Sequence, residues 1–178
     1  TGTGYYLNVK GESRIFEAFL AKGEMLLHPL GYYRIQELFL LNSSILSSIE
    51  IYSREHGEIL IEAKEGEKDN TLSGWVMTKP YHKDVYNQTL GELIIDKLYG
   101  PVLINEYVED NPKSLEQYGL SEPEQRVTFY ESGAVTTFYF GREEGDEVYV
   151  KKGKEPTVYK IDKETFDFRK FEAFQFVD

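Results

Sequence analysis

The sequence predicts an α+β fold: a mainly antiparallel sheet built from consecutive hairpins, with two or three helices packed on it. Three observations carry this expectation. Strand-like runs recur in pairs around short turns, as in residues 126–131 and 134–140 about Ser132-Gly133. Stretches with helical spacing are few and stand singly between the hairpins. The 14 Tyr, 11 Phe and 1 Trp suit pleated, half-buried strands, where aromatic side chains are favoured.

At the start, Tyr5-Tyr6-Leu7-Asn8-Val9 and Arg14-Ile15-Phe16 flank Lys10-Gly11-Glu12-Ser13 and read as a hairpin. Residues 17–27 read as a short helix through Phe19, Leu20, Leu26 and Leu27, weakened by Gly23 and interrupted by Pro29 and Gly31. Ile49 and Ile51 share one strand face, Ile59 and Ile61 share another, and His56-Gly57 supplies the turn between them. Residues 65–70 are charged and aperiodic, an exposed loop before a third strand, Gly74-Trp75-Val76-Met77, which Pro80 closes.

Asp84 then caps the strongest helical pattern: Tyr86, Leu90, Leu93, Ile94 and Leu98 form a single apolar stripe, and Gly100-Pro101 ends it. A strand over 102–108 precedes a short helix marked by Asn111 as its cap, Pro112 at its first position and Gly119 just past its end. Beyond the hairpin at Ser132-Gly133, an acidic loop over 142–147 leads to a third pair of strands, 148–151 and 157–161. A last helix is expected from Asp162 to about Ala173, with Phe166 and Phe174 packing inward.

Composition narrows function by exclusion. The 31 acidic and 20 basic residues leave a net charge of −11, which argues against a reader of the phosphate backbone. With 40% hydrophobic residues the chain can bury a core, and without cysteine it has no disulfide, thiolate metal site or cysteine nucleophile. The longest apolar runs, around Leu38-Phe39-Leu40-Leu41 and Leu93-Ile94-Ile95, fall far short of the ~18 residues that cross a bilayer. The opening Thr1-Gly2-Thr3-Gly4 has neither an initiator Met nor a charged-then-apolar leader. The expectation is therefore a cut piece, with any anchor or signal upstream.

The polar motifs point to no chemistry. His28, His56 and His82 lack zinc-site spacing, and Glu143-Glu144-Gly145-Asp146-Glu147 lacks the alternating ligands of a calcium loop, so it reads as a charged hairpin connection. The serines at 43, 44, 47, 48 and 53 have no nucleophile elbow, and Gly2 and Gly4 open no phosphate cradle. No catalytic residue, metal site or cofactor is assigned. Exposed rings beside carboxylates can grip sugars or partners, and the candidates for such contacts are Trp75, Tyr81 and Tyr107. Trp75, between Gly74 and Val76, has core packing as its plainer reading. Tyr118-Gly119-Leu120 reads as a helix end packed through a glycine C-cap.

An ungapped match of residues 6–16 with 149–159 pairs Tyr6 with Tyr149, Ile15 with Val158 and Phe16 with Tyr159. The later order is Tyr118-Gly119-Leu120-Ser121-Glu122-Pro123, then Phe138-Tyr139-Phe140-Gly141, then Val148-Tyr149-Val150 and Val158-Tyr159. This order resembles the bacterial domain-of-unknown-function family numbered 4340, as do Ile49-Glu50-Ile51, Gly74-Trp75-Val76 and the helix to Leu98. The family often carries tandem copies. The resemblance therefore implies that residues 1–28 are the trailing hairpin and helix of an upstream copy and that 29–178 are a nearly complete domain.

It further implies an extracytoplasmic domain of a membrane-anchored protein, an accessory or adaptor to a transport or cell-surface complex such as a gliding-motility type of ABC transporter. The expected partner is a protein of that complex, met through exposed aromatic residues, an apolar patch or a sheet edge, with no nucleic acid. The alternative is an extracytoplasmic domain that binds a glycan or small ligand with exposed rings. Hydrolysis would instead require two carboxylates in contrasting environments within one cleft.

Overall fold

The computed structural model describes residues 4–8, 15–19, 34–64 and 74–177. The chain divides into two compact units, Thr1–Ile35 and Gln36–Asp178. In the first, β1 (Gly4–Asn8) pairs antiparallel with β2 (Ile15–Phe19), the hairpin expected there. Residues 17–19 continue β2 and are not the first turn of a helix, because their backbone completes the ladder from Glu17↔Tyr6 to Phe19↔Gly4. The remainder of that expected helix and the 65–70 loop lie outside the described residues.

In the second unit, two meanders stand side by side. The first comprises β4 (Leu46–Ser53), β5 (Gly57–Ala63), β6 (Trp75–Lys79) and β7 (Lys83–Val85). The second comprises β10 (Gln125–Glu131), β11 (Ala134–Glu144), β12 (Glu147–Lys152) and β13 (Val158–Asp162). They join through β4 and β10, and β9 (Glu106–Glu109) adds beyond β13, giving the order β7-β6-β5-β4-β10-β11-β12-β13-β9. Every neighbouring pair is antiparallel. A separate two-stranded sheet pairs β3 (Glu37–Phe39) with β8 (Val102–Leu103).

The register shows why one face is the core. Ile49 faces Ile61 and Ile51 faces Ile59 across β4–β5, while Val127 and Phe129 of β10 meet Ile51 and Ile49. The period of two then places Met77, Phe138, Phe140 and Val150 on the same buried side. Onto it pack the short helix α1 (Asn87–Leu90), its single-turn π-helical continuation Gly91–Ile95, and two 3₁₀ segments, Lys163–Lys170 and Ala173–Phe176. The ring of Phe166 lies 5.1 to 6.4 Å from those of Phe140, Phe138, Phe168 and Phe129. A smaller cluster, Tyr118, Leu120, Tyr149 and Val158, gathers with Val108, Leu115 and Tyr139.

The broad α+β class stands, with fewer and shorter helices among the described residues than predicted. Asp84 is no helix cap. It sits in β7, where the ladder pairs it with Val76 and its carboxylate lies 3.1 Å from Lys64 Nζ. Tyr86 takes the cap position and is exposed, whereas Leu90, Ile94 and Leu98 of the predicted stripe are buried. The strand expected over 102–108 is two strands in different sheets, since Ile104 N–H donates to Gln36 and Asn105 N–H to Lys160.

Only Glu116–Tyr118 of the helix predicted over 111–119 is helical. Asn111 adopts φ +64 and turns the chain, Leu115 is the cap, and Gly119 closes the turn at φ +70 as expected. The expected acidic loop is largely strand, as β11 continues past a bulge to Glu144 and leaves Gly145-Asp146 as the turn. Asp162 does cap the last element, accepting from Glu164 N–H. That element is 3₁₀ rather than one helix, and Phe168 and Phe176 join Phe166 inside while Phe174 points outward.

Candidate functional site

The sheet separates the three aromatic candidates. Trp75 shares the core-facing side of β6 with Met77 and is half-buried against the main core. Tyr107, on β9, is half-buried edge-to-face on Tyr159, with centroids 5.3 Å apart. β6 and β9 lie toward opposite edges of the nine strands, so these rings form no common surface. Tyr81 differs: it is 42% exposed on the β6–β7 connection.

Tyr81 lines a groove of about 400 Å³ with Glu55, His56, Glu172, Ala173 and Phe174. The topology explains the meeting. β4 and β6 run in the same direction, so the β4–β5 and β6–β7 turns project from one end of the sheet. β13 also delivers the chain to that end, into the C-terminal 3₁₀ segments. There Phe176 is buried, a reciprocal capping box joins Glu172 to Gln175, and Phe174 remains 51% exposed. Two accessible rings thus stand in one groove with two carboxylates, and His56 Nε2 lies 3.8 Å from Glu55. Of these two rings, Tyr81 is the one the sequence singles out as a candidate. Phe174 departs from its expected inward packing, because Phe168 and Phe176 fill the interior and helical spacing does not reveal that.

A second groove, of about 660 Å³, is apolar and includes Leu40, Leu41, Ile95, Leu98 and Tyr99. β3 turns Leu38 and Phe39 inward, and Leu40 emerges beyond them. Tyr99 precedes Gly100, whose φ of +108 redirects the chain, and is 92% exposed. Sequence reading missed this surface. Its only signal was a Tyr beyond the last buried position of the apolar stripe, and Leu40 looked like part of a continuous apolar run.

A third depression, of about 620 Å³, involves Glu116, Glu122, Glu124, Arg142, Glu143 and Lys170. Several of its charges hold elements together, Glu122 and Glu124 with Arg54 and Glu143 with Lys170. Arg169, only 1% exposed, donates to Glu143, to the Gln125 side chain and to the Lys163 and Phe166 carbonyls, and its guanidinium lies over Phe140. Lys170, then burial-opposed attraction from Arg169, hold the Glu143 carboxyl below its usual value, while burial pulls the Arg169 guanidinium down. Nearby, Lys160 bridges Glu144, Glu106 and Glu147, and its hydrogen bond with Glu144 raises the ammonium's pKa. Lys163 lies 3.6 Å from Asp146, so all four carboxylates of the acidic run face cations supplied by the fold. Burial, reinforced by Glu155, pushes the Tyr159 phenol up to about 12.

Beside this depression two glycines meet. A Cβ on Gly141 would stand 2.0 Å from the Tyr118 carbonyl oxygen, and one on Gly119 would stand 2.8 Å from the Arg142 amide nitrogen. The Tyr-Gly-Leu turn therefore lies directly against the backbone of β11. Residues 75–178, more than half of the chain, match the family described as Domain of unknown function (DUF4340). The chain belongs to the DUF4340 family. None of the curated proteins and none of the solved structures compared matches it. The DUF4340 match begins with β6 and includes both glycines, so the motifs behind the resemblance acquire a structural role: Gly119 and Gly141 allow two backbones to touch.

Proposed function

We propose that this DUF4340 domain is a non-enzymatic, extracytoplasmic accessory or adaptor domain of a membrane-anchored bacterial protein, serving a transport or cell-surface complex such as a gliding-motility type of ABC transporter. The observation that supports a binding role is the apolar groove in which Tyr99 stands 92% exposed beside Leu40. Accessible aromatic and aliphatic side chains around one depression are the usual anchors of a protein contact. The test places a photo-crosslinking amino acid at Tyr99 in the full-length protein in its native membranes. The expected result is an adduct with a subunit of a membrane complex, formed on the extracytoplasmic side and reduced by Leu40→Ser. An anchor of this kind contributes about 1–3 kcal/mol, so the variant should bind roughly tenfold more weakly. A protein found in the cytoplasm, or no adduct, overturns the proposal.

The Tyr81–Phe174 groove favours a second reading, a site for a glycan or another small ligand. Here the support is the pair of accessible rings flanked by Glu55 and Glu172. Perturbation of groove resonances by a ligand, abolished by Tyr81→Ala, is the expected result.

A further inference from the structure

We infer that the Tyr81–Phe174 groove takes a lysine- or arginine-bearing peptide segment of a protein partner. The inference rests on the reading of this groove as a ligand site and narrows its ligand. Among the described residues, those around it supply two exposed rings and two carboxylates, and neither lysine nor arginine lines it. Aromatic faces attract cations through their quadrupole, and carboxylates at the rim complete the charge without occupying the rings. The Glu55 side chain is 83% exposed, with His56 as its neighbour. It is therefore accessible to an incoming ammonium or guanidinium group.

Charge favours the same ligand class at longer range. A chain of net charge −11 steers basic segments toward itself and slows anionic ones. A neutral sugar would gain nothing from this field. At about 400 Å³ the groove is toward the small end for ligand sites, suited to one or two side chains of a peptide. The β4–β5 turn, the β6–β7 turn and the C-terminal segment each contribute lining residues, so the rings are set by the folded sheet rather than by one loop.

The test is an NMR titration of the 15N-labelled chain, following the amides of Glu55, Tyr81 and Phe174. Three probes are compared: acetylated and amidated tetralysine, choline and chitotriose. Tetralysine should shift these amides selectively and bind more weakly as sodium chloride rises from about 50 to 300 mM. Phe174→Ala and Glu55→Gln should each weaken it about two- to fivefold, with unchanged spectra elsewhere. Shifts with choline but not tetralysine identify a small cation and overturn the peptide assignment. Shifts with chitotriose alone overturn the cationic inference and leave the ligand-site reading standing. Silence from all three overturns both, and salt-sensitive tetralysine shifts spread over the surface and indifferent to Phe174→Ala overturn the groove.

Discussion

At Gly141 the backbone of β11 passes so close to the Tyr118 carbonyl that even a methyl group has no place. Gly119, across the same contact, also holds the left-handed conformation that ends its turn. Tyr118 then reaches Glu109 through its hydroxyl at 2.5 Å and lies against Tyr149. Gly141→Ala should therefore cost at least about 2 kcal/mol, read as a lower urea midpoint, because the obstructing atoms are main-chain and cannot rotate away. A midpoint equal to that of the parent protein contradicts this account. Gly119 was readable in advance as a C-cap, since that role is local. Gly141 was not, because its reason lies in a turn distant in sequence.

The C-terminal element shows the limit of helical periodicity. Asp162 marks its start correctly, but the packing of Phe166, Phe168 and Phe176 calls for two tight 3₁₀ segments, the first of them interrupted by non-helical backbone at Phe166. Arg169 fastens the element to β10 and β11 through Gln125 and Glu143. Glu143 ties this fastening to pH. A carboxyl held low in the folded state takes up its proton at lower pH than the unfolded chain does. Its contribution is therefore full above 4.5, the ordinary glutamate value, and is lost as pH falls through the lower folded value. Glu143→Gln should thus lower the urea midpoint at pH 7 and lower it less near pH 3. An equal deficit at both pH values contradicts the linkage. The same contrast between local and tertiary signals applies at β7, where pairing with β6 takes Asp84 away from the predicted cap.

For the molecule as a whole, the hairpins were readable because each is a local event: alternating residues, a turn, alternating residues again. The joins between them were not. β4 with β10, and β13 with β9, pair across long stretches of chain, and no turn chemistry announces them. The grooves shared this invisibility, since turns and terminal segments from separate hairpins build them. The β4–β10 join also bears on where the domain can be cut. The family match starts at β6, yet β5 and β4 stand between β6 and β10. A fragment of residues 75–178 would split the sheet and strip β6 and β10 of a ladder partner each, leaving two adhesive edges. Size-exclusion chromatography should find that fragment aggregated and a fragment of residues 36–178 monodisperse. A monodisperse shorter fragment would mean that the recognisable family segment is also a self-sufficient folding unit, whereas aggregation would show that the inherited motif and the foldable body have different borders.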